Sequence, residues 1–267
     1  MTIETSRLTI DRIIKYLAEG KRFDERKPEE YRDLKIELGV SNKAEGSARV
    51  KLGKTEVIVG IKMDVGTPYP DSPDKGNLMV TAEMLPLSSP RIDLGPPKYD
   101  AIEIGRVVDR GIRESHFIDF KKLCIKEGEK VWTVFIDIYT INDDGNLLDA
   151  AGIGAVAALK SAEIPKYNEE TGKTIFGESS GKKIPLGKEM PISISAYQLG
   201  EKILVDPTRE EEDASETRVT MGVSNGIISS MQKSNSEKLD VESFEKMMEM
   251  CEKVWEDLIN KIEKLLK

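Results

Sequence analysis

The chain has 267 residues, of which 39% are hydrophobic and 33% are charged, and its formal net charge is −8. This length provides one large domain or two small ones, no apolar stretch reaches the roughly 18 residues of a membrane span, and residues 1–22 lack the apolar region of a signal peptide. Because the molecule as a whole repels nucleic acid, any RNA must bind a local basic patch, and we expect a cytoplasmic protein without membrane contact.

The first hundred residues predict a helix, a hairpin and a proline-rich segment. Residues 5–19 carry a partial apolar stripe, which predicts an amphipathic helix capped by Thr5 or Ser6. From residue 34 to 63 the apolar period changes to two, and the turn after "SARVKL" predicts a hairpin. Residues 64–100 hold seven of the twelve prolines, which exclude a regular helix over most of the stretch. Within it, "GNLMVTAEMLPL" predicts a further strand.

Residues 100–116 predict the clearest helix, and it carries a row of arginines. At about 100° per residue its apolar side chains share one face, and Arg106, Arg110 and Arg113 share the opposite one. Their i, i+4, i+7 spacing stacks them along the helix. Two interpretations stay open from spacing alone. Acids such as Glu103 and Asp109 could pair with the row on a solvated face, or the row could bind successive phosphates, which the planar arginine fork suits.

The second half of the chain predicts strands followed by a long helix. A strand at 129–141 leads through the turn "NDDGN" into a buried helix at 148–164, and residues 165–188 are predicted as a polar, glycine-rich linker. Two strands span 190–208, a hairpin turns at Asn225-Gly226, and a last helix opens at Asp240 or Ser243. Strands grouped apart from helices favour an α+β fold over a doubly wound sheet.

Several short motifs have simpler explanations than a ligand site. "GIGAVA" (152–157) fits a dinucleotide pattern, but its glycines lie inside a predicted helix, so close helix packing is favoured. "NDDGN" lacks the later glutamate of a calcium loop, so a turn is favoured. Cys124 and Cys251 match no metal spacing, and we expect no disulfide. His116, the single histidine, is interpreted as a residue at a helix C-terminal end rather than a catalytic base.

An acidic segment precedes the last hairpin. Five acids lie between Glu210 and Glu216, and Arg218 follows them. A carboxylate metal site and a solvated acidic loop both remain open from composition.

Five stretches of the chain, in order, resemble the RNase PH family. They are "RFDERKPEEYR" (22–32), "NKAEGSARVKLGKTEVIVGIKMDVGTP" (42–68), "EIGRVVDRGIR" (103–113), "DDGNLLDAAGIGAVAAL" (143–159) and "EEDASETRVTM" (211–221). Within the family, the chain is most similar to the non-catalytic RNase PH-like subunit of the archaeal exosome ring. The resemblance implies an α+β fold of two related strand-helix subdomains, like ribosomal S5 domain 2. We predict an N-terminal helix and arm at 1–30, a first subdomain at 31–188 and a second, with the C-terminal helix, at 189–267.

The resemblance also implies an activity. Members assemble as six-subunit rings and degrade RNA from its 3′ end by phosphorolysis, in which inorganic phosphate attacks the last phosphodiester and releases a nucleoside diphosphate, commonly with metal assistance. The archaeal ring alternates two kinds of subunit, and only one kind holds the complete site.

Three departures from the family pattern predict which kind this chain is. Leu147 stands where active members have a phosphate-binding arginine, and Asp100 stands near the position of another. Active members continue from "ET" into an aspartate, whereas Arg218 follows here, and an arginine is neither a general acid at neutral pH nor a cation ligand. These losses predict no catalytic residue and no metal in this subunit.

We therefore expect a non-catalytic subunit that alternates with a catalytic RNase PH-like subunit in a hetero-hexameric ring. By resemblance, Arg106, Arg110 and Arg113 would contact the backbone of single-stranded RNA beside the partner's active site. Phosphate and Mg²⁺ would bind the partner, and RNA-binding cap subunits would complete the complex. Two alternatives remain: an active phosphorolytic nuclease that uses Asp206, Glu212 or Asp213, and a scaffold without an RNA role.

Overall fold

In the computed structural model, which describes residues 5–235 and 237–267, the first half of the chain builds a six-stranded sheet. Its strands are β1 (Leu34–Leu38), β2 (Gly46–Leu52), β3 (Thr55–Gly66), β4 (Asn77–Met84), β5 (Cys124–Lys126) and β6 (Lys130–Asn142). The order is β1–β2–β3–β6–β4, with β5 also paired to β6. Only β4 and β6 run parallel. The predicted β2–β3 hairpin is confirmed, and β4 lies at an edge of the sheet, beside β6.

A small hairpin follows, where a linker was predicted at 165–188. Its strands are β7 (Glu163–Asn168) and β8 (Lys173–Lys183), so the linker prediction was wrong. Strand β8 is almost entirely exposed, whereas β7 is half-buried, with Ile164 and Tyr167 packed on the core, and polar contacts such as Lys166–Glu178 at 2.8 Å join the two strands. Because β8 faces solvent on both sides, its sequence has no alternating apolar pattern to indicate a strand.

The second sheet comes from the last third of the chain. It contains β9 (Ile192–Leu199), β10 (Lys202–Val205), β11 (Thr217–Ser224) and β12 (Ile227–Ser234), ordered β10–β9–β11–β12 and antiparallel throughout. The predicted turn between β11 and β12 is confirmed. Asn225 and Gly226 both have positive φ, 51° and 70°, as the tight turns of two-residue hairpins require.

Within residues 5–235 and 237–267, five α-helices complete the fold, together with a 3-10 turn at Phe120–Leu123. They are α1 (Arg7–Ala18), α2 (Tyr99–Glu114), α3 (Leu147–Ser161), α4 (Arg209–Asp213) and α5 (Val241–Leu265). Ser6 caps α1 and Asp240 caps α5, within the predicted choices. His116 lies just beyond the end of α2, with a φ of 54°. The acidic loop predicted at 210–216 is partly helical, because Thr208 and Glu211 form a capping box that starts α4.

The core is centred on α3, which packs between the two sheets. Its glycines allow close approach on both sides: a Cβ on Gly154 would lie 2.7 Å from Val59 of β3, and one on Gly152 would lie 3.0 Å from Ser193 of β9. The small-residue run is therefore a packing surface inside a helix, as predicted. One continuous apolar cluster joins both sheets with α2, α3 and α5, and the α+β fold of two strand-helix units is confirmed. Their exact boundaries stay a prediction.

Two further expectations concern the chain as a whole. Cys124 and Cys251 are both free thiols. Among the helices at 5–235 and 237–267, none is long and apolar enough to cross a membrane.

The N-terminal arm, residues 19–33, is fixed to the far end of the chain. Arg22 is buried and forms an ion pair of 2.6 Å with Glu211. Arg26 and Arg32 contact the carboxylate of Asp206, which is fully buried. These contacts connect the start of the chain to the segment between β10 and α4.

Candidate nucleic-acid interface

The row of arginines lies on α2, as predicted, but its members differ in their surroundings. Arg106 and Arg110 are exposed, whereas Arg113 is half-buried. Arg106 and Arg110 line a groove of about 520 Å³ between α2 and the edge strand β4. The helix begins at Tyr99 after Pro96 and Pro97, and its buried face packs on β4, α3 and β12. That packing leaves the two arginines on the outer face.

Arg113 is neutralised inside the molecule. Its guanidinium contacts the Asp109 carboxylate at 2.7 Å and 3.1 Å, and it donates to the Leu78 carbonyl at 3.2 Å. It also lies over the ring of Phe120, 5.9 Å from the centroid. The hydrogen bonds to Asp109 outweigh burial and raise the pKa of Arg113. Arg113 therefore ties α2 to β4, and little of its charge remains for an external anion.

Glu103 does not pair with the arginine row, contrary to one sequence interpretation. Its carboxylate is buried and accepts from Arg218 of β11 at 2.7 Å. Gln232 donates to it at 2.8 Å, and the Ser234 hydroxyl donates as well. Burial alone would raise the pKa of Glu103, but Arg218 and these two donors lower it below its ordinary value. Glu103 is therefore a fully satisfied carboxylate.

The outer arginines retain their charge. Within residues 5–235 and 237–267, Arg106 has no hydrogen bond or ion pair with another side chain. Arg110 approaches one polar group, the Gln232 amide oxygen, at 3.5 Å, the outer limit of a hydrogen bond. Two uncompensated guanidinium groups one turn apart are suited to neighbouring phosphates.

The three positions that depart from the family pattern converge on one pocket beside α2. Asp100, Leu147 and Arg218 line it together with Arg209 and Glu212, and its volume is about 180 Å³. The sequence separates these residues widely, and the packing of α2, α3, α4 and β11 brings them together. The three positions that the resemblance singled out therefore belong to one site. We call this site, lined by Asp100, Leu147, Arg209, Glu212 and Arg218, the acidic pocket.

Arg218 occupies the centre of the acidic pocket with little exposure. Its side chain is 11% exposed and contacts Glu103 at 2.7 Å and Glu212 at 3.8 Å. It also donates to the Ser234 hydroxyl at 2.7 Å. Burial disfavours its charged form, but Tyr197 and the two glutamates raise the pKa of Arg218 above its ordinary value. A permanently protonated side chain here neither transfers a proton nor coordinates a cation.

Glu212 is engaged from several directions. It accepts from the backbone N–H of Asn146 at 3.0 Å and from the Tyr197 hydroxyl at 3.2 Å. Arg209 lies 3.4 Å from the same carboxylate. Glu212 therefore links α4 to the N-terminus of α3 and holds the pocket together.

Asp213 and Asp206, the other two acids of the nuclease alternative, are also bound by arginines. Asp213 contacts Arg91 at 2.6 Å and Arg209 at 2.9 Å. Although burial opposes it, these contacts and a hydrogen bond from Thr5 lower the pKa of Asp213 to about 2. The Asp206 carboxylate accepts five hydrogen bonds, from Arg26, Arg32 (three, including its backbone N–H) and Asn146. Across the described residues, no three His, Cys, Asp or Glu side chains are arranged to hold a metal ion.

Several residues of this region were not predicted from the sequence. The Arg209–Asp213 pair has i, i+4 spacing and could have been read from the sequence once α4 was recognised as a helix. Gln232 and Tyr197 have no such local signal, because their contacts depend on how the second sheet packs on α2 and α4. Asp149 was also missed. Burial raises the pKa of Asp149 to about 6 despite hydrogen bonds from Asn146, Tyr31 and Ser195.

Comparison with known proteins identifies the family. The 3′ exoribonuclease family, known as RNase PH, matches residues 30–165 with its domain 1 and residues 189–254 with its domain 2. The chain belongs to the RNase PH family. Its RNase PH relatives include the protein called exosome complex component Rrp42 of Thermococcus onnurineus, 50% identical over 236 residues, which cover 87% of this chain and 86% of that protein. The protein of the same name from Archaeoglobus fulgidus is 43% identical over 241 residues, which cover 90% of each.

A solved RNase PH-type structure has the same fold along nearly its full length. It is described as the Archaeoglobus fulgidus exosome with RNA bound to the active site, and it superposes with a TM-score of 0.87 at 41% identity. The superposition covers 95% of this chain and 97% of that one. The predicted family and fold are thereby confirmed.

Proposed function

We propose that the chain is a non-catalytic ring subunit of an archaeal-type exosome, a 3′→5′ phosphorolytic RNA-degrading complex. One observation carries the proposal. Arg218, at the position where active relatives are expected to hold an aspartate, is buried between Glu103 and Glu212. The names of the relatives, exosome components at 43–50% identity, support the same assignment.

In this proposal the subunit contributes RNA binding and ring assembly. It alternates with the catalytic RNase PH-like subunit, whose site binds inorganic phosphate and Mg²⁺, and RNA-binding cap subunits complete the complex. Arg106 and Arg110 hold the RNA backbone beside the partner's site, and the Asp109 contact makes Arg113 a weaker candidate. Phosphate contacts of this kind fix register without reading sequence. The complex acts in the cytoplasm, without a membrane partner.

The first experiment tests for catalysis. The purified chain alone is incubated with single-stranded RNA, inorganic phosphate and Mg²⁺, and nucleoside diphosphates are measured. We expect release only after the catalytic subunit is added. Sustained release by the isolated chain would favour the nuclease alternative.

The second experiment tests for RNA contact. Arg106→Glu with Arg110→Glu reverses both exposed charges, so we expect the RNA Kd of a reconstituted ring to rise about 100-fold and its salt dependence to fall by about 1.4. Lys21→Glu with Lys202→Glu is the control, since Lys202 lies on β10, at the opposite edge of the second sheet from β12. Unchanged binding in assembled rings would favour a scaffold.

A further inference from the structure

Two acids on α2 have the spacing to neutralise Arg106. Glu103 lies three residues before it and Asp109 three residues after it, a separation at which side chains on a helix meet. Glu114, one turn after Arg110, is exposed and forms no ion pair with it among the described residues. An exposed pair of this kind would contribute little. The less exposed acids, Glu103 and Asp109, therefore decide how much positive charge the helix presents.

Both of these acids are bound by other arginines. Asp109 is held by Arg113 at 2.7 Å, on its own helix. Glu103 is held by Arg218 at 2.7 Å, from β11, in surroundings where both side chains are about 10% exposed (8% and 11%). Water screens such a buried pair poorly, so its attraction exceeds that of a surface pair. Arg218 thus outcompetes the arginines of α2 for Glu103.

Gln232 of β12 connects this pair to Arg110. Its amide nitrogen donates to Glu103 at 2.8 Å, and its amide oxygen faces the Arg110 guanidinium at 3.5 Å. A single amide thereby separates a carboxylate from an arginine. Arg110 is oriented by a neutral acceptor and keeps its full charge for an external anion.

We propose that Arg218 is a positioning residue for RNA binding. Because Arg218 forms the ion pair with Glu103, Arg106 and Arg110 remain without an acidic partner in the part of the chain that the structure describes. Glu103 in turn holds Gln232, whose amide oxygen orients the Arg110 guanidinium. This inference rests on the proposed contact of Arg106 and Arg110 with RNA. The residue that replaces a catalytic acid then has a use of its own, since it maintains the positive charge of the neighbouring helix.

The test uses the reconstituted ring and a labelled single-stranded oligonucleotide in phosphate-free buffer, in which phosphorolysis has no co-substrate. Arg218→Gln frees the Glu103 carboxylate to pair with Arg106. We expect the RNA Kd to rise about fivefold and the salt dependence to fall by about 0.7, as for the loss of one phosphate contact. Arg218→Lys should retain most of the affinity. The control Arg49→Gln removes the same charge from β2 and should change neither quantity.

The decisive variant combines Arg218→Gln with Glu103→Gln. It removes the acid together with its partner, so affinity and salt dependence should return to wild-type values. If Arg218 contacted RNA directly, Glu103→Gln would restore neither, and that result would overturn the inference. Ring assembly of each variant is verified by mass measurement.

Two further arms separate the possible failures. Arg106→Gln with Arg110→Gln must weaken binding; if it does not, the proposed function itself fails. If it does, while Arg218→Gln binds RNA normally, only the positioning role is wrong. Should Arg218→Gln fail to assemble, Gln232→Met tests the same connection. It should raise Kd about twofold at unchanged salt dependence, because it alters the direction of Arg110 and not the number of charges, and an unaltered Kd would contradict the proposal.

Discussion

The acidic pocket and the outer face of α2 each carry two arginines, and the two pairs differ in what neutralises them. In the pocket, Arg218 is largely buried and Arg209 is half-buried, and each contacts two or more acids. On the face, Arg106 and Arg110 are exposed and have no acidic partner among the described residues. Arginine side chains therefore stabilise the fold in the pocket, whereas on the outer face of α2 they are available to bind an anion.

Burial explains the difference. A guanidinium removed from water is stable only when nearby carboxylates and hydrogen bonds replace its hydration. Glu103 and Glu212 of the pocket, together with Asp213 on α4, supply these contacts. On the surface, water performs this role and no acid is required. The number of arginines in a region therefore does not locate an anion-binding site. What locates it is an arginine that contacts no acid within the protein. Three predictions test this contrast, in order of decreasing effect.

The largest effect is expected at Asp206, one of the acids of the nuclease alternative. Asp206→Ala leaves Arg32, which is 8% exposed, with only the more distant Asp144 carboxylate at 3.5 Å, so the free energy of unfolding should fall by about 3 to 5 kcal/mol. Urea denaturation of the isolated chain measures the change. Asp33→Ala, at an exposed carboxylate, is the control and should stay within about 0.5 kcal/mol. A stable Asp206→Ala protein would show that this acid is not structural.

A smaller effect is expected at Arg218. Arg218→Met removes the buried cation that neutralises Glu103 and leaves Gln232, Ser234 and the exposed Arg106 as its possible partners, so stability should fall by about 2 to 3 kcal/mol. The matched variant Arg106→Met, on the outer face, should change stability by less than about 0.5 kcal/mol. Thermal and urea unfolding of both variants compare the two regions directly. Equal effects would contradict the contrast between them.

The smallest effect concerns pH. The pKa of Asp213 is lowered to about 2 in the folded chain, from an ordinary value near 3.8. The stabilisation from this carboxylate is therefore fully present above about pH 4 and is lost as the pH falls towards 2. We expect a loss of about 1 to 2 kcal/mol over that interval that is absent in Asp213→Asn. Asp71→Asn, in an exposed loop, should follow the wild-type curve; if it does not, the assignment to Asp213 is wrong.

Much of the fold could be predicted because its apolar patterns are strong. The period-two pattern around Val57 and Val59 indicates β3, and the small apolar residues from Leu147 to Leu159 indicate a buried helix. The β7–β8 hairpin could not be predicted this way, since its longer strand, β8, is exposed on both faces. The short helix α4 was not predicted, because its acidic composition also fits a solvated loop. The Thr208–Glu211 capping box that starts it is nevertheless recognisable in the sequence.

The site was predictable in its parts and not in its connections. Spacing placed Arg106 and Arg110 on one helix face, and resemblance marked Arg218 as a replacement. Neither indicates that Arg218 would bind Glu103, because that contact joins residues far apart in sequence through the packing of β11 on α2. Local spacing instead favoured a pairing of Glu103 with its helical neighbours, and the tertiary partner prevails in the fold.

The contacts of the N-terminal arm have a consequence for synthesis. Arg32 and its acceptor Asp206 are 174 residues apart, and Arg22 and Glu211 are 189 residues apart. A ribosome that adds about 5 to 20 residues per second needs roughly 10 to 40 seconds to cover such a distance. Throughout that interval Asp206 and Glu211 are not available to the arm, whose own acid, Asp24, lies beside Arg26. The arm, which is made before its acceptors, therefore reaches its final position only after residues 206–211 have left the ribosome.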